Sequence, residues 1–387
     1  MNKMNILIFL SKRFCLLQRL SFNILLLAIN PHINYKYNPS FLWSILIIIT
    51  TQRFKLMSFP ESYLALRKID QNQDPQFIKF PFEKPSKNEV IVKVEYAPIH
   101  PSDNDMMKGL YTIDPSKPGL LGSEGSGVIV AIGEDLKIPH KVGDKVYIVS
   151  WGTYTQFITL QSENAILIKN GLSLEEASCH FINPGTAYEM AIRAIEGGHK
   201  AAINTAASSD LGRMLIRLFK HKGIKLINIV RNDKYIEELK KEGADYVLNY
   251  QNPNFENELS ELIEKEEVSV AFDGIGGDFV ETLLKLLPNN SKSTVFGYGN
   301  VSGSSHTKFN FIIPIVGEKT FRGLGFSTYF RELTKNGKAL EYLEEVHALL
   351  PTVLKPKIIK IFKIEDVKEA RDFFEANKTT GKILLKF

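Results

Sequence analysis

The sequence predicts an α/β protein in which a β-rich module precedes a doubly wound parallel sheet. Three observations carry this reading. From Glu61 to Ser178, short β-branched runs are broken at close intervals by Gly, Pro and Asp. From about 185 to 325, short apolar runs alternate with amphipathic stretches of helical period, the pattern of βαβ units. The composition, 44% hydrophobic and 24% charged over 387 residues, is that of a globular chain of two or three domains and excludes a disordered or fibrous one. Two cysteines, Cys15 and Cys179, supply neither a disulfide framework nor a four-thiolate zinc site.

Residues 1–56 read as an extension. They hold seven of the 48 basic residues and no acid, so the remainder carries a net charge of −2 where the whole chain carries +5. A near-neutral body gives no nucleic-acid footprint, which needs clustered positive charge. The apolar runs Ile6–Leu10, Ile24–Ile29 and Ile45–Ile49 fall short of the ~20 residues that cross a bilayer. A basic, acid-free start fits a mitochondrial presequence. Upstream text read from a wrong start codon ahead of Met57 fits it too, and a membrane anchor is the third reading. Localisation follows: mitochondrial if the presequence is real, otherwise cytoplasmic.

Within the β-rich module, Val90–Tyr96 alternates as a strand, and Gly122–Gly125, Ser126–Gly133 and Val142–Tyr147 continue the pattern as corners and strands of a small barrel or sandwich. The texture changes at Glu176, where Pro184 breaks the segment before a helix from Ala187, and a domain boundary is expected near 180. Ala201–Thr205, Lys225–Val230, Tyr246–Asn249, Val268–Asp273 and Thr294–Gly297 read as buried parallel strands. Between them, Leu211–His221 and Lys234–Gly243 read as helices, the second stopped by glycine.

The turn after the first of these strands is where a G-x-G-x-x-G fingerprint would bring backbone against a pyrophosphate. The chain offers Ala207-Ser208-Ser209-Asp210-Leu211-Gly212, keeping only the last glycine. Ala207, Ser208 and Ser209 are small enough for close approach. Asp210 would repel a pyrophosphate unless it points away or caps the helix, and Arg213 beside it would offset some of that charge. Nineteen residues after Gly212 the second strand ends in Arg231. An acid there suits the ribose hydroxyls of NAD; an arginine suits the 2′-phosphate of NADP, the alternative being a solvated strand-end arginine. NADPH is the expected cofactor.

Across 58–387 the chain resembles the medium-chain dehydrogenase/reductase superfamily. The resemblance rests on Gly122–Gly133, Val142–Tyr147, the βαβ sheet and the closing Thr380-Gly-Lys-Ile-Leu-Leu-Lys-Phe387. Ile99-His-Pro-Ser-Asp103, Gly109-Leu-Tyr111, Asn183-Pro-Gly-Thr-Ala-Tyr188, Ile227–Arg231 and Arg322-Gly-Leu-Gly-Phe326 resemble its zinc-free branch, which includes quinone oxidoreductases and mitochondrial enoyl thioester reductases. The resemblance implies a GroES-like catalytic domain over 57–180 plus 326–387 and a Rossmann NADP-binding domain over 181–325. Zinc-dependent members need a cysteine before the Ser/Thr-Asp pair and a Gly-His-Glu motif. Here His100 occupies the first segment and Gly122-Ser123-Glu124 the second, so no metal is expected. His100, Glu124, Cys179 and His180 could in principle assemble a metal site, but buried or hydrogen-bonded structural roles are expected of them.

What remains is hydride delivery from NADPH to an activated carbon of an enoyl thioester, alkenal or quinone, a small-molecule substrate in each case. By resemblance Tyr111 is the proton donor, with a barrel-rim packing role as the alternative; a phenol is protonated at neutral pH. His100 stands in place of a typical asparagine and is the second catalytic candidate, as a donor or a source of pH dependence. Asn183 and Thr186 resemble the segment lying along the cofactor, unless they are simply a turn and helix start. Gly274, Gly297 and the loop of Gly323–Gly325 are places for nicotinamide or ribose to approach backbone, or plain turns. Phe326, with Tyr329 and Phe330, stands where tryptophans often shape the acyl site. A homodimer through the 295–325 region is implied by the resemblance alone. The competing reading is a catalytically inactive nucleotide-binding protein of the same fold, motivated by Asp210 and His100.

Overall fold

The computed structural model describes residues 59–70, 72–109, 119–169, 171–304 and 310–387. The N-terminal presequence, start-codon and anchor readings, and Tyr111, lie outside these residues. Tyr63–Phe387 forms one compact unit built on two large sheets.

The first sheet is centred on β3 (Glu89–Pro98), whose Val90, Ile91, Val92 and Val94 are each at most 2% exposed because both faces are covered. A small two-stranded sheet of β1 (Ser62–Arg67) and β2 (Gln76–Pro81) precedes it. Around β3 lie β4 (Gly125–Ile132), β5 (Lys145–Ile148), β6 (Phe157–Gln161) and β7 (Ala165–Leu167). The C-terminal β14 (Ile358–Lys363) and β15 (Lys382–Lys386) complete the order β14-β15-β3-β4-β5-β7, with β6 also paired to β3. Gly127 is required by close approach: a Cβ there would stand 2.1 Å from the Lys93 carbonyl oxygen on β3.

The second sheet is wholly parallel, in the order β10-β9-β8-β11-β12-β13. Its strands are β8 (Ala201–Asn204), β9 (Lys225–Val230), β10 (Tyr246–Asn249), β11 (Val270–Asp273), β12 (Thr294–Gly297) and β13 (Thr320–Gly323). The chain order reverses between β8 and β11, which makes the ends of those strands a topological switch point, the usual place for a ligand crevice in such sheets.

Among the described residues, three α-helices precede the first strand of this sheet. They are α1 (Pro101–Met107), α2 (Leu174–Ala177) and α3 (Ile182–Glu196), before α4 (Asp210–Lys222) crosses from β8 to β9. Pro184 does not break the segment as expected. It lies in the first turn of α3, where a helix has no partner for a backbone N–H, so its missing donor costs nothing. In α4, Met214, Leu215, Leu218 and Phe219 are fully buried, Ser209 caps the start, and basic Lys220–Lys222 followed by left-handed Gly223 ends it. α5 (Ile236–Lys241), α6 (Phe255–Lys265), α7 (Phe279–Leu286) and α8 (Ile312–Gly317) make the remaining crossovers.

The sequence reading returned the chain to the first module at 326. Instead α9 (Phe326–Lys335) and α10 (Ala339–Leu349) bury Phe326, Tyr342, Leu343 and Val346 in the same core as α3, α4 and the parallel sheet. The return to the antiparallel sheet comes with β14, and α11 (Val367–Ala376) packs between it and β15.

Candidate functional site

The turn between β8 and α4 is built by small residues. Ala206 takes the left-handed conformation (φ 51°), one residue before the position expected from the fingerprint. Ala207 N–H donates to the Ile229 carbonyl (3.1 Å), Ser209 Oγ accepts from Gly212 N–H (3.1 Å), and Ser208 is buried. Gly212 does what the third glycine of a fingerprint does, since a Cβ there would lie 2.6 Å from the Ala207 carbonyl oxygen.

Asp210 does not face a pyrophosphate. It is 5% exposed, with Oδ1 accepting the Lys357 backbone N–H (2.7 Å) and Oδ2 accepting from Asn183 Nδ2 (2.9 Å). Arg213 is likewise spent elsewhere. Fully buried, it donates through Nε to the Ser208 carbonyl (3.0 Å) and pairs with Glu242 and Glu238 on and beside α5.

Beyond the ends of β8, β9 and β11 opens a cleft of about 260 Å³, at the switch point. Ala206, Ser208, Arg231, Lys234, Tyr250 and Ile275 line it on the sheet side, and Lys378 and Thr379 reach it from the turn before β15. Arg231 follows β9 directly and is exposed, with no ion pair or hydrogen bond to another described residue. Lys234 lies over the Tyr235 ring (4.8 Å), while Lys378 is paired to Glu375 (2.8 Å). Two cations without a carboxylate partner, one of them held over an aromatic ring, suit a phosphorylated nucleoside.

The floor of the crevice is held by Asp273, whose carboxylate accepts from Thr205 Oγ1 (2.7 Å), Ile275 N–H (3.1 Å) and Gly276 N–H (2.9 Å). Burial pushes its carboxyl up despite those bonds. Gly274 packs against Tyr298, whose hydroxyl donates to the Thr205 carbonyl (3.0 Å), and a Cβ on Gly297 would stand 3.2 Å from the Phe321 ring.

His100 is not in an open cleft. It is 1% exposed, with Nε2 2.6 Å from Glu124 Oε1 and Nδ1 2.8 Å from Lys382 Nζ. Asp103 accepts the His100 backbone N–H (3.0 Å), and His180 stands 3.6 Å from Glu124. Burial drives the Glu124 carboxyl up, but His100, His180 and Lys382 outweigh it and leave it below the ordinary value. Cys179, buried beside His180, has its thiol pushed well up by desolvation and is unreactive.

Of the residues expected at the cofactor, the cleft thus gathers Ser208 and Arg231, with Ala207, Ser209 and Gly212 shaping its loop. Asn183 is engaged with Asp210, and Thr186 donates back to the Ile182 carbonyl (2.6 Å) within α3. Phe326 is a core residue, walled by Phe181, Phe330, Tyr342 and Gly185. Sequence reasoning missed Lys234, Tyr250 and Lys382 as site-forming, while Glu124 was named only beside His100, Cys179 and His180. The one available signal was a lysine opening the otherwise apolar strand Lys382–Lys386.

Comparison with known proteins agrees with this architecture. Residues 86–190 match the alcohol dehydrogenase GroES-like domain family, and residues 211–341 match the zinc-binding dehydrogenase family. The chain is 26% identical over 317 residues to quinone oxidoreductase 1 of Escherichia coli, covering 80% of this chain and 94% of that one. It is 32% identical over 227 residues to a mitochondrial enoyl-[acyl-carrier-protein] reductase of Caenorhabditis elegans, covering 56% of this chain and 63% of the relative. The crystal structure of the Escherichia coli quinone oxidoreductase complexed with NADPH superposes with a TM-score of 0.72 at 24% identity, over 84% of this chain and all of that one.

Proposed function

The chain belongs to the medium-chain dehydrogenase/reductase superfamily, and we propose that within it the protein is an NADPH-dependent reductase of an activated double bond or a quinone. The observation that carries this is the cleft at the switch point, with Arg231 free of ion pairs and hydrogen bonds to other described residues and Lys234, held over the Tyr235 ring, free of ion pairs at its mouth. An adenosine 2′-phosphate brings the two negative charges those side chains lack, and the small residues of the β8–α4 turn at the start of α4 support a pyrophosphate there. Asp210, the residue that favoured an inactive protein, is tied to Asn183 and Lys357 and leaves that turn open to an anion.

NADPH supplies the hydride when bound. The protein's part is to orient it, to exclude water and to steady the negative charge that develops on an enolate or quinone oxygen. Tyr111 is carried forward as the proton donor to that oxygen. The reaction is assigned without metal, because Ser123 stands where a zinc-ligating histidine would be and Glu124 is engaged by His100 and backbone. The nucleotide module is taken to run from 181 through α10, because α9 and α10 share its core.

A homodimer is assigned through the edge strand β13 and α8, where Phe311, Ile312, Ile315, Val316 and Phe321 are 44–71% exposed. If residues 1–56 are a true presequence, the enzyme acts in the mitochondrion, as the nematode relative's name states for that protein.

The test is fluorescence titration with NADPH and NADH, followed by turnover with crotonyl-CoA, an alkenal and a quinone. Tight NADPH binding with oxidation by at least one acceptor is expected. Binding without turnover on any acceptor would return the inactive reading.

A further inference from the structure

Three ionisable side chains from separate elements meet in the sealed space beside the start of α3. His100 precedes α1, Glu124 precedes β4 and Lys382 opens β15, and none is more than 4% exposed. An ammonium has only donors, so Lys382 at 2.8 Å makes His100 Nδ1 an acceptor. The ring proton therefore sits on Nε2 and is donated to Glu124 Oε1 (2.6 Å). The second oxygen of Glu124 accepts the backbone N–H groups of Phe181 (2.6 Å) and Ile182 (3.3 Å), which begin α3. One residue on, Asn183 holds Asp210, the first residue of α4 and the end of the phosphate turn.

We propose that Lys382, His100 and Glu124 form a one-way positioning relay that fixes the first turn of α3 and, through Asn183 and Asp210, the phosphate turn in its cofactor-binding arrangement. The inference rests on the NADPH reading above. His100 is then a positioning residue and not the proton donor. A buried ion pair is a poor source of stability, since an apolar replacement of the whole set is often neutral. What a cation–imidazole–carboxylate chain adds is direction: the Lys382 ammonium is nearer Nδ1 (2.8 Å) than Nε2 (3.4 Å), which leaves Nε2 to donate to Oε1 and Oε2 of Glu124 at one place for the helix to dock on. The other groups facing the relay are Asp103, which accepts from the His100 N–H and Ser123 Oγ, together with His180 and Cys179.

The test compares His100→Asn, His100→Leu, Glu124→Gln, Lys382→Met and the Glu124→Gln/Lys382→Met double variant with the full-length chain, by NADPH titration and by steady-state kinetics across pH. Asparagine can accept from Lys382 and donate to Glu124, so His100→Asn is expected to keep the NADPH Kd and kcat within about threefold, with an unmoved pH profile. His100→Leu is expected to raise the NADPH Kd and KM about tenfold or more while kcat changes far less. The double variant should recover most of what either single charge removal loses, because no lone charge is left buried. Where a single variant does not fold, His100→Asn and the double variant decide. A loss of about a hundredfold in kcat for His100→Asn at unchanged Kd, with one limb of the pH profile gone, would make His100 the acid and overturn the relay. Equal NADPH affinity in His100→Leu would overturn it too. Failure of the unaltered chain to bind NADPH would instead strike the functional reading.

Discussion

Charge gathers in two places in this molecule, and the two are handled in opposite ways. At the mouth of the nucleotide cleft Arg231 and Lys234 stand exposed without an ion pair to another described residue, while Glu375, which also lines the cleft, is paired with Lys108 and Lys378. Beside α3, Lys382 and Glu124 are shut away from water and compensated through His100. The difference separates recognition from architecture. A cation left open at the end of a strand has its energy available for a ligand, whereas a charge desolvated during folding has already spent its interactions within the chain. Asp210 makes the same point from the other side: a carboxylate placed in a phosphate turn is harmless once both oxygens are taken.

The contrast breaks most sharply with Lys382→Met, which leaves the Glu124 carboxylate buried without its cation. Urea unfolding should show a loss of about 3–5 kcal/mol. Little or no loss would mean that the cluster is hydrated and that the two regions do not differ in kind. Arg231→Gln should instead leave stability within about 0.5 kcal/mol. It should weaken NADPH binding by about 1.5–3 kcal/mol, with NADH nearly unaffected, as titration of both coenzymes would show. An equal effect on both would place Arg231 off the 2′-phosphate. Gly212→Ala, which must push α4 away from the Ala207 backbone, should cost about 1–3 kcal/mol in stability and weaken both coenzymes alike.

Acid offers a test of burial that needs no substitution. Burial holds the His180 imidazole down to about 4 and the His347 imidazole, also opposed by His180, down to about 3. Both rings flank Tyr147 at 4.5–4.6 Å. The folded chain keeps them neutral while the unfolded chain protonates near the ordinary 6.5, so stability is full above that value. It should fall as pH drops from about 6.5 through about 4 and 3, and His347→Gln should flatten the curve in denaturant melts. The smallest effect belongs to Lys200–Glu267, whose side chains are 68% and 66% exposed. Replacing both by alanine should change stability by less than about 0.5 kcal/mol, even at low salt.

Much of the second sheet was legible because strand and helix periods are local. Ala201–Thr205, Lys225–Val230 and Tyr246–Asn249 fall within a residue of the observed strands, and Leu211–His221 within a residue of α4. The place of Arg231 was legible for the same reason, as it needs only the end of a strand. Pro184 was misread locally, since a proline is tolerated in the first turn of a helix, whereas His100 and Phe326 were misplaced because much of their surroundings comes from far along the chain. His100 meets Lys382 across 282 residues, and Phe326 is walled by Phe181 and Tyr342. Nothing near either of them in sequence marks such a partner.

Composition and periodicity alone determined that there are two β architectures, that one is parallel, where its phosphate turn lies and which cation ends its second strand, since each follows from bonds among residues within a few positions. Tertiary structure alone decided which polar residues face the cleft and which are sealed. Desolvation is set by what packs over a side chain, and here α3, β15 and the return segment at Lys357 arrive from distant parts of the chain to turn Asp210, Arg213 and His100 inward.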